Sequence, residues 1–184
     1  MSKPIILNKK ILWEGRFLRS LLIEYRSSGG RIIPWEAFQR IGVRGIVAVV
    51  PFTEDNRVVL VKQFRPPVER YVIEFPAGLN DMDEPLPQVA SRELLEETGY
   101  SSENLRQIAQ GPLSSGASTE VLTVFLAENC RKTHPQRLDE IEEIEVITLP
   151  FDNFYERLFS LQAQDTYIDL KIPGLFEIAR RFSG

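Results

Sequence analysis

Apolar positions along this chain fall into short runs that predict many strands and few helices. The segments GRFLRSLLIEYR (15–26) and RIIPWEAFQR (31–40) read as extended. The SSGG between them supplies glycines for a tight hairpin turn. GIVAVVPF (45–52) and RVVLVKQF (57–64) are rich in β-branched residues, and TEDN (53–56) joins them as a second hairpin. YVIEFPAG (71–78) reads as a strand that breaks at Pro76 and Gly78. Residues 87–98 read as a helix with Pro87 in its first turn, Gly99 closing it, and Val89, Ala90 and Leu94 on its apolar side. Further strands are expected near 105–110, 119–127 and 143–149, and helices over 150–161 and 174–182. Hairpin-rich strands with a few helices predict an α/β fold with a mixed sheet.

Composition narrows the picture only slightly. The 184 residues suit one domain, with 43% hydrophobic and 26% charged residues. The net charge of −4 offers no general attraction for nucleic acid or an anionic membrane. A phosphate-bearing ligand would therefore need local cations. The single cysteine, Cys130, excludes an intramolecular disulfide and makes a zinc cluster a poor expectation. Neither a signal peptide nor a membrane span is expected, so the reading is a cytoplasmic protein. His134, the one histidine, falls in a polar loop and excludes a histidine dyad or triad.

The helix 87–98 carries the chemistry. Glu93, Glu96 and Glu97 stand at i, i+3 and i+4 and share one face. Like charges at that spacing destabilise an isolated helix, so a compensating cation is required. Arg92 can pair with Glu96 at i, i+4. Hard carboxylate oxygens suit Mg²⁺ or Mn²⁺ bridging to substrate phosphates. Taken alone, the same residues also fit a solvated helix face.

The flanks add a motif. Gly78, Glu84, Arg92, Glu93, Leu94, Glu96, Glu97, Gly99 and Tyr100 stand at the spacing of the Nudix box. Tyr100 occupies a position where an aliphatic residue is more usual. The chain thus resembles Nudix hydrolases, which use divalent metal ions to split nucleoside diphosphates linked to another group. The resemblance implies an α/β/α sandwich with a mixed sheet and an N-terminal antiparallel strand extension. It also implies that Glu93 and Glu97 are the main metal ligands, with Glu96 and the Ala77 carbonyl joining them. Arg92 would orient the carboxylates, and Glu84 would fix the loop against the helix.

Outside the box, LVKQFRPPVERYVIEFPAGLND (60–81) resembles the ADP-ribose pyrophosphatase and nucleoside diphosphate sugar hydrolase branch. By that resemblance Arg65 contacts the diphosphate, and Glu74 binds sugar hydroxyls or supports the metal site. In PWEAF (34–38), Trp35 would stack on the base and Glu36 hydrogen-bond to it, with Phe17 as a second stacking aromatic. The branch implies a homodimer whose N-terminal strands cross over, so that Trp35 serves the other subunit. Residues 1–42 would be that segment and 43–184 the hydrolase domain. The general base is expected in RLDEIEEIEV (137–146), with Glu140 and Glu142 as alternatives and Glu142 also a possible ligand. SSGASTE (114–120) departs from the branch: Ser115 replaces its usual proline, while Glu120 matches the glutamate that follows. ADP-ribose is the first expectation for substrate. GDP-mannose, a broad range of sugar nucleotides, and a catalytically silent nucleotide sensor are the alternatives.

Overall fold

The computed structural model describes residues 3–140 and 142–183. The ends of both expected segments, Met1, Ser2 and Gly184, lie outside them. Among these residues twelve strands form two sheets, accompanied by three α-helices. The first three strands, β1 (Ile5–Glu14), β2 (Leu18–Arg26) and β3 (Ile32–Arg40), make an antiparallel sheet in that order. The larger sheet is mixed. Its central strand, β4 (Ile46–Thr53), pairs antiparallel with β5 (Arg57–Arg65) and β7 (Ala77–Leu79), and parallel with β10 (Val121–Lys132). Strand β6 (Arg70–Glu74) extends it from β5, β8 (Tyr100–Ser101) and β9 (Asn104–Pro112) pair with β10, β11 (Ile144–Pro150) pairs with β5, and β12 (Thr166–Ile168) runs parallel to β6.

All eight residues of β4 are buried, because both faces of the sheet are covered. Ile46, Ala48, Val50 and Phe52 pack towards Phe154, Leu158, Ile172 and Phe176. Those residues belong to α2 (Phe154–Ser160) and α3 (Lys171–Phe182). Val47 and Val49 point the other way, onto Val89, Ala90 and Leu94 of α1 (Leu86–Thr98). The period of two along one strand thus serves two helical layers, an α/β/α sandwich.

Four elements differ from the pattern-based reading. The stretch 71–78 is two strands, not one. After β6 pairs with β5, Pro76 turns the chain, and β7 pairs with β4. The second helix begins at Phe154 rather than 150, after Asn153 adopts a left-handed conformation (φ +59°). The third begins earlier, at Lys171, since Pro173 still lies in its first turn and forfeits no hydrogen bond there. Strand β1 has no counterpart in that reading. Every one of its residues is exposed and its register slips twice, so no alternating core face marks it.

The N-terminal sheet joins the body through β3. The Phe38 N–H donates to the Ala117 carbonyl (2.8 Å), and the Thr119 N–H donates to the Phe38 carbonyl (3.1 Å). The Trp35 indole donates to the Gly116 carbonyl (2.8 Å), and Arg40 Nε to Glu120 (2.6 Å). Ile5, Ile6, Trp13, Phe17 and Ile32 of this sheet and its turns are exposed. Among the described residues no helix is long and apolar enough to cross a membrane.

Candidate active site

Helix α1 lies beside the short strand β7, and the two together build the acidic centre. Gly99 ends the helix at φ +75°, its N–H donating to the Leu95 carbonyl (2.8 Å). The carbonyl of Gly99 accepts the N–H groups of Thr133 (2.9 Å) and His134 (3.2 Å). This ties the loop before β11 to the helix end. A Cβ at Gly99 would overlap the His134 carbonyl oxygen, and its φ disfavours any other residue. Gly99→Ala is expected to lower stability by more than about 1 kcal/mol, read as a reduced midpoint in urea.

On the face turned to β7, Glu97 is only 5% exposed. One of its oxygens accepts the Ala77 N–H at 3.1 Å. Burial pushes its carboxyl up to about 8 against the pull of that N–H, and the neighbouring Glu93 and Glu142 push the same way. Glu93 lies across Gly78, where a Cβ would collide with its carboxyl group. Burial raises Glu93 to about 7, opposed by Arg92. Arg92 gathers three carboxylates: Glu93 and Glu96, each 2.9 Å from Nη1, and Glu84, 3.2 Å from Nε.

A cavity of about 540 Å³ opens over this face. Arg65, Arg92, Arg137, Asp139 and Glu142 line it along with Glu93, Glu96 and Glu97. A second, more apolar cavity of about 500 Å³ lies across β7 and shares Arg65, Ala77, Gly78 and Leu79 with the first. Arg40, Glu74, Asp169 and Lys171 supply its charges.

The structure separates the residues singled out from the sequence into three groups. Ala77, Gly78, Arg92, Glu93, Glu96, Glu97 and Glu142 meet at the acidic cavity, with Glu84 linked through Arg92. Glu142 also accepts the Asp139 N–H (3.0 Å), whereas the exposed Glu140 lines neither cavity. Arg65 and Glu74 face each other in a two-bonded pair, both bonds 2.7 Å, at the junction of the cavities. Phe17 and Trp35, which are 67% and 46% exposed, and Glu36 line neither cavity, and Glu120 is engaged by Arg40. Sequence reasoning passed over Arg40, Arg137, Asp139, Asp169 and Lys171. Arg137 and Asp139 fall inside the acidic stretch it flagged, but nothing local marks the others.

The carboxylates fit a hard divalent cation. Glu97 is buried with the half-buried Glu93 beside it, which costs free energy unless protons or a cation compensate. Among the described residues no three acidic or histidine side chains already converge on one point.

The family model of the NUDIX domain matches residues 43–167. The chain belongs to the Nudix hydrolase family. Hydrolases of this family use divalent metal ions, in keeping with the carboxylate face of α1. An ADP-ribose pyrophosphatase of Bacillus subtilis is 38% identical over 122 residues, covering 66% of each chain. An ADP-sugar pyrophosphatase of Mus musculus is 31% identical over 93% of this chain and 85% of its own. A GDP-mannose pyrophosphatase of Salmonella typhimurium is 34% identical over 90% of this chain and 91% of its own. The solved structure of an ADP compounds hydrolase shares the Nudix fold, with a TM-score of 0.75 at 21% identity over 99% of this chain and 95% of that one.

Proposed function

We propose that this Nudix hydrolase cleaves the diphosphate of a nucleoside diphosphate sugar, with ADP-ribose the first choice, to a nucleoside monophosphate and a sugar phosphate. The observation that carries the reading is the pair Glu93 and Glu97, half-buried and buried beside β7 and lining the same cavity as Arg65. Glu93, Glu96, Glu97 and the Ala77 carbonyl would hold Mg²⁺, with Mn²⁺ as a substitute. A bound ion would supply charge neutralisation at phosphate oxygens and a more acidic water. Arg92 keeps the carboxylates in place. Arg65 commits Nε and Nη2 to Glu74, which leaves Nη1 for a phosphate oxygen. Glu142, rather than Glu140, takes the proton of the attacking water, since it alone of the two lines the cavity.

Residues 1–42 are read as a dimerisation and base-binding segment, and 43–184 as the hydrolase domain. Phe17, Trp35 and Glu36 stand outside their own chain's cavities on a sheet with exposed apolar residues. That placement supports a homodimer in which they clasp the base in the other subunit's site. Glu120 then acts through Arg40, its ion-pair partner at the second cavity. Trp35→Ala is expected to raise KM about 10-fold while kcat changes less, because stacking binds ground and transition states alike. An unchanged KM would assign Trp35 to structure alone. A cytoplasmic location fits the single buried thiol.

A second reading, GDP-mannose, is favoured by Ser115 and by the near-complete overlap with the GDP-mannose relative. Turnover of ADP-ribose, GDP-mannose, ADP-glucose and UDP-glucose at fixed Mg²⁺ separates the two. The largest kcat/KM for ADP-ribose supports the first reading. A preference for GDP-mannose replaces it with the second.

A further inference from the structure

The loop between β7 and α1 contains a polar residue buried more deeply than its neighbours. Asn80 is 4% exposed, whereas residues 81–83 are exposed. Its backbone is fixed on one side: the N–H donates to the Gly45 carbonyl (2.9 Å), and its carbonyl accepts the Arg44 N–H (2.8 Å). Its side chain reaches the far end of the loop. Nδ2 donates to the Glu84 carbonyl (2.7 Å), and Oδ1 accepts the Glu84 N–H (3.0 Å). The orientation of the amide is unambiguous, because a backbone N–H only donates and a carbonyl only accepts.

We infer that Asn80 is a positioning residue for the metal-holding carboxylates. It closes the five-residue turn 80–84 and thereby sets where Glu84 stands. Glu84 binds Arg92 Nε (3.2 Å), and Arg92 Nη1 meets both Glu93 and Glu96 at 2.9 Å. The chain from Asn80 to the carboxylates is thus continuous, through one backbone clamp and one guanidinium. Only an amide serves at this position. Leucine has similar bulk but leaves the Glu84 N–H and carbonyl without partners. Aspartate keeps the acceptor for the N–H but turns a second oxygen towards the Glu84 carbonyl. Asp83 and Arg44 form an ion pair alongside, yet both side chains are exposed, so they brace the loop only weakly.

The inference rests on the carboxylates being the metal face, and its test does not depend on substrate. Mn²⁺ is titrated into the full-length wild type, Asn80→Leu and Asn80→Asp, and bound ion is read by paramagnetic resonance. Leu158→Ala, in the core on the opposite side of the sheet, serves as a destabilised control. Both Asn80 variants are expected to weaken Mn²⁺ binding at least 5-fold, with the control unchanged. In turnover assays they should raise the Mg²⁺ concentration for half-maximal rate by a similar factor. At saturating Mg²⁺, KM for the sugar nucleotide should stay within about twofold. In a Glu84→Gln background, Asn80→Leu should add little, because the two act in series. Wild-type Mn²⁺ affinity in both Asn80 variants, or a loss matched by the control at equal melting temperature, overturns the inference. Wild-type Mn²⁺ binding without turnover of any sugar nucleotide would instead refute the proposed function and leave the Asn80 comparison decisive.

Discussion

Replacing Glu97 with glutamine should abolish turnover and, at the same time, stabilise the metal-free protein at alkaline pH. The activity loss follows from removing a buried carboxylate from the metal-holding face. A fall of roughly 10³-fold corresponds to about 4 kcal/mol of lost transition-state stabilisation. The gain in stability follows from the same burial. Glu97 is pushed up to about 8 in the fold, against an ordinary 4.5, and Glu93 moves the same way, to about 7. Between 4.5 and 8 the folded protein keeps a proton on Glu97 that the unfolded chain has released. This contribution to stability is complete below about pH 4.5 and is lost as the pH rises through 8. Glutamine stays neutral and can still accept the Ala77 N–H. Its advantage at pH 8.5 should be on the order of 2 kcal/mol, or several degrees in Tm. In wild type, Mg²⁺ should restore stability most at high pH, where binding no longer displaces a proton. Melting curves from pH 6 to 9, with EDTA and with Mg²⁺, check both signs. Wild type and Glu97→Gln with parallel pH profiles in EDTA would contradict the burial of an ionisable carboxylate at the site.

Gly78→Ala should have the second-largest effect, again on activity more than on folding. The new Cβ would stand where the Glu93 carboxyl lies. Glu93 has a flexible stem and can swing aside, so the backbone need not move. Once displaced, it leaves Arg92 and the face it shares with Glu97. Turnover should fall about 100-fold with a raised Mg²⁺ requirement, equivalent to about 2.7 kcal/mol. The urea midpoint should change little. A large loss of stability with normal Mg²⁺ response would show that Gly78 serves the strand and not the carboxylate.

The acidic helix could be read from sequence because its geometry is local. Spacings of three and four residues place Glu93, Glu96 and Glu97 on one face whatever the rest of the fold does, and Pro87 and Gly99 mark its ends. Long-range pairing was not readable in that way. The break at Pro76 is visible in the sequence, but not that β6 then pairs with β5 and β7 with β4. The Arg65–Glu74 pair depends on the same register, so Arg65 looks like a free phosphate ligand until β5 and β6 are laid side by side. Glu140 and Glu142 differ only by two places in a loop, and only the folded loop turns one of them into the cavity. Asn80 gives no signal at all, since an asparagine in a loop is ordinarily exposed.

The role of the α1 carboxylates is tested most directly by the metal dependence of ADP-ribose hydrolysis by the wild-type protein, followed by chromatography of the products. AMP and ribose phosphate are expected in the presence of Mg²⁺, no product in EDTA, and recovery when Mg²⁺ is returned in excess. Hydrolysis that continues unchanged in EDTA would contradict the central claim that the carboxylates of α1 act by holding a divalent ion.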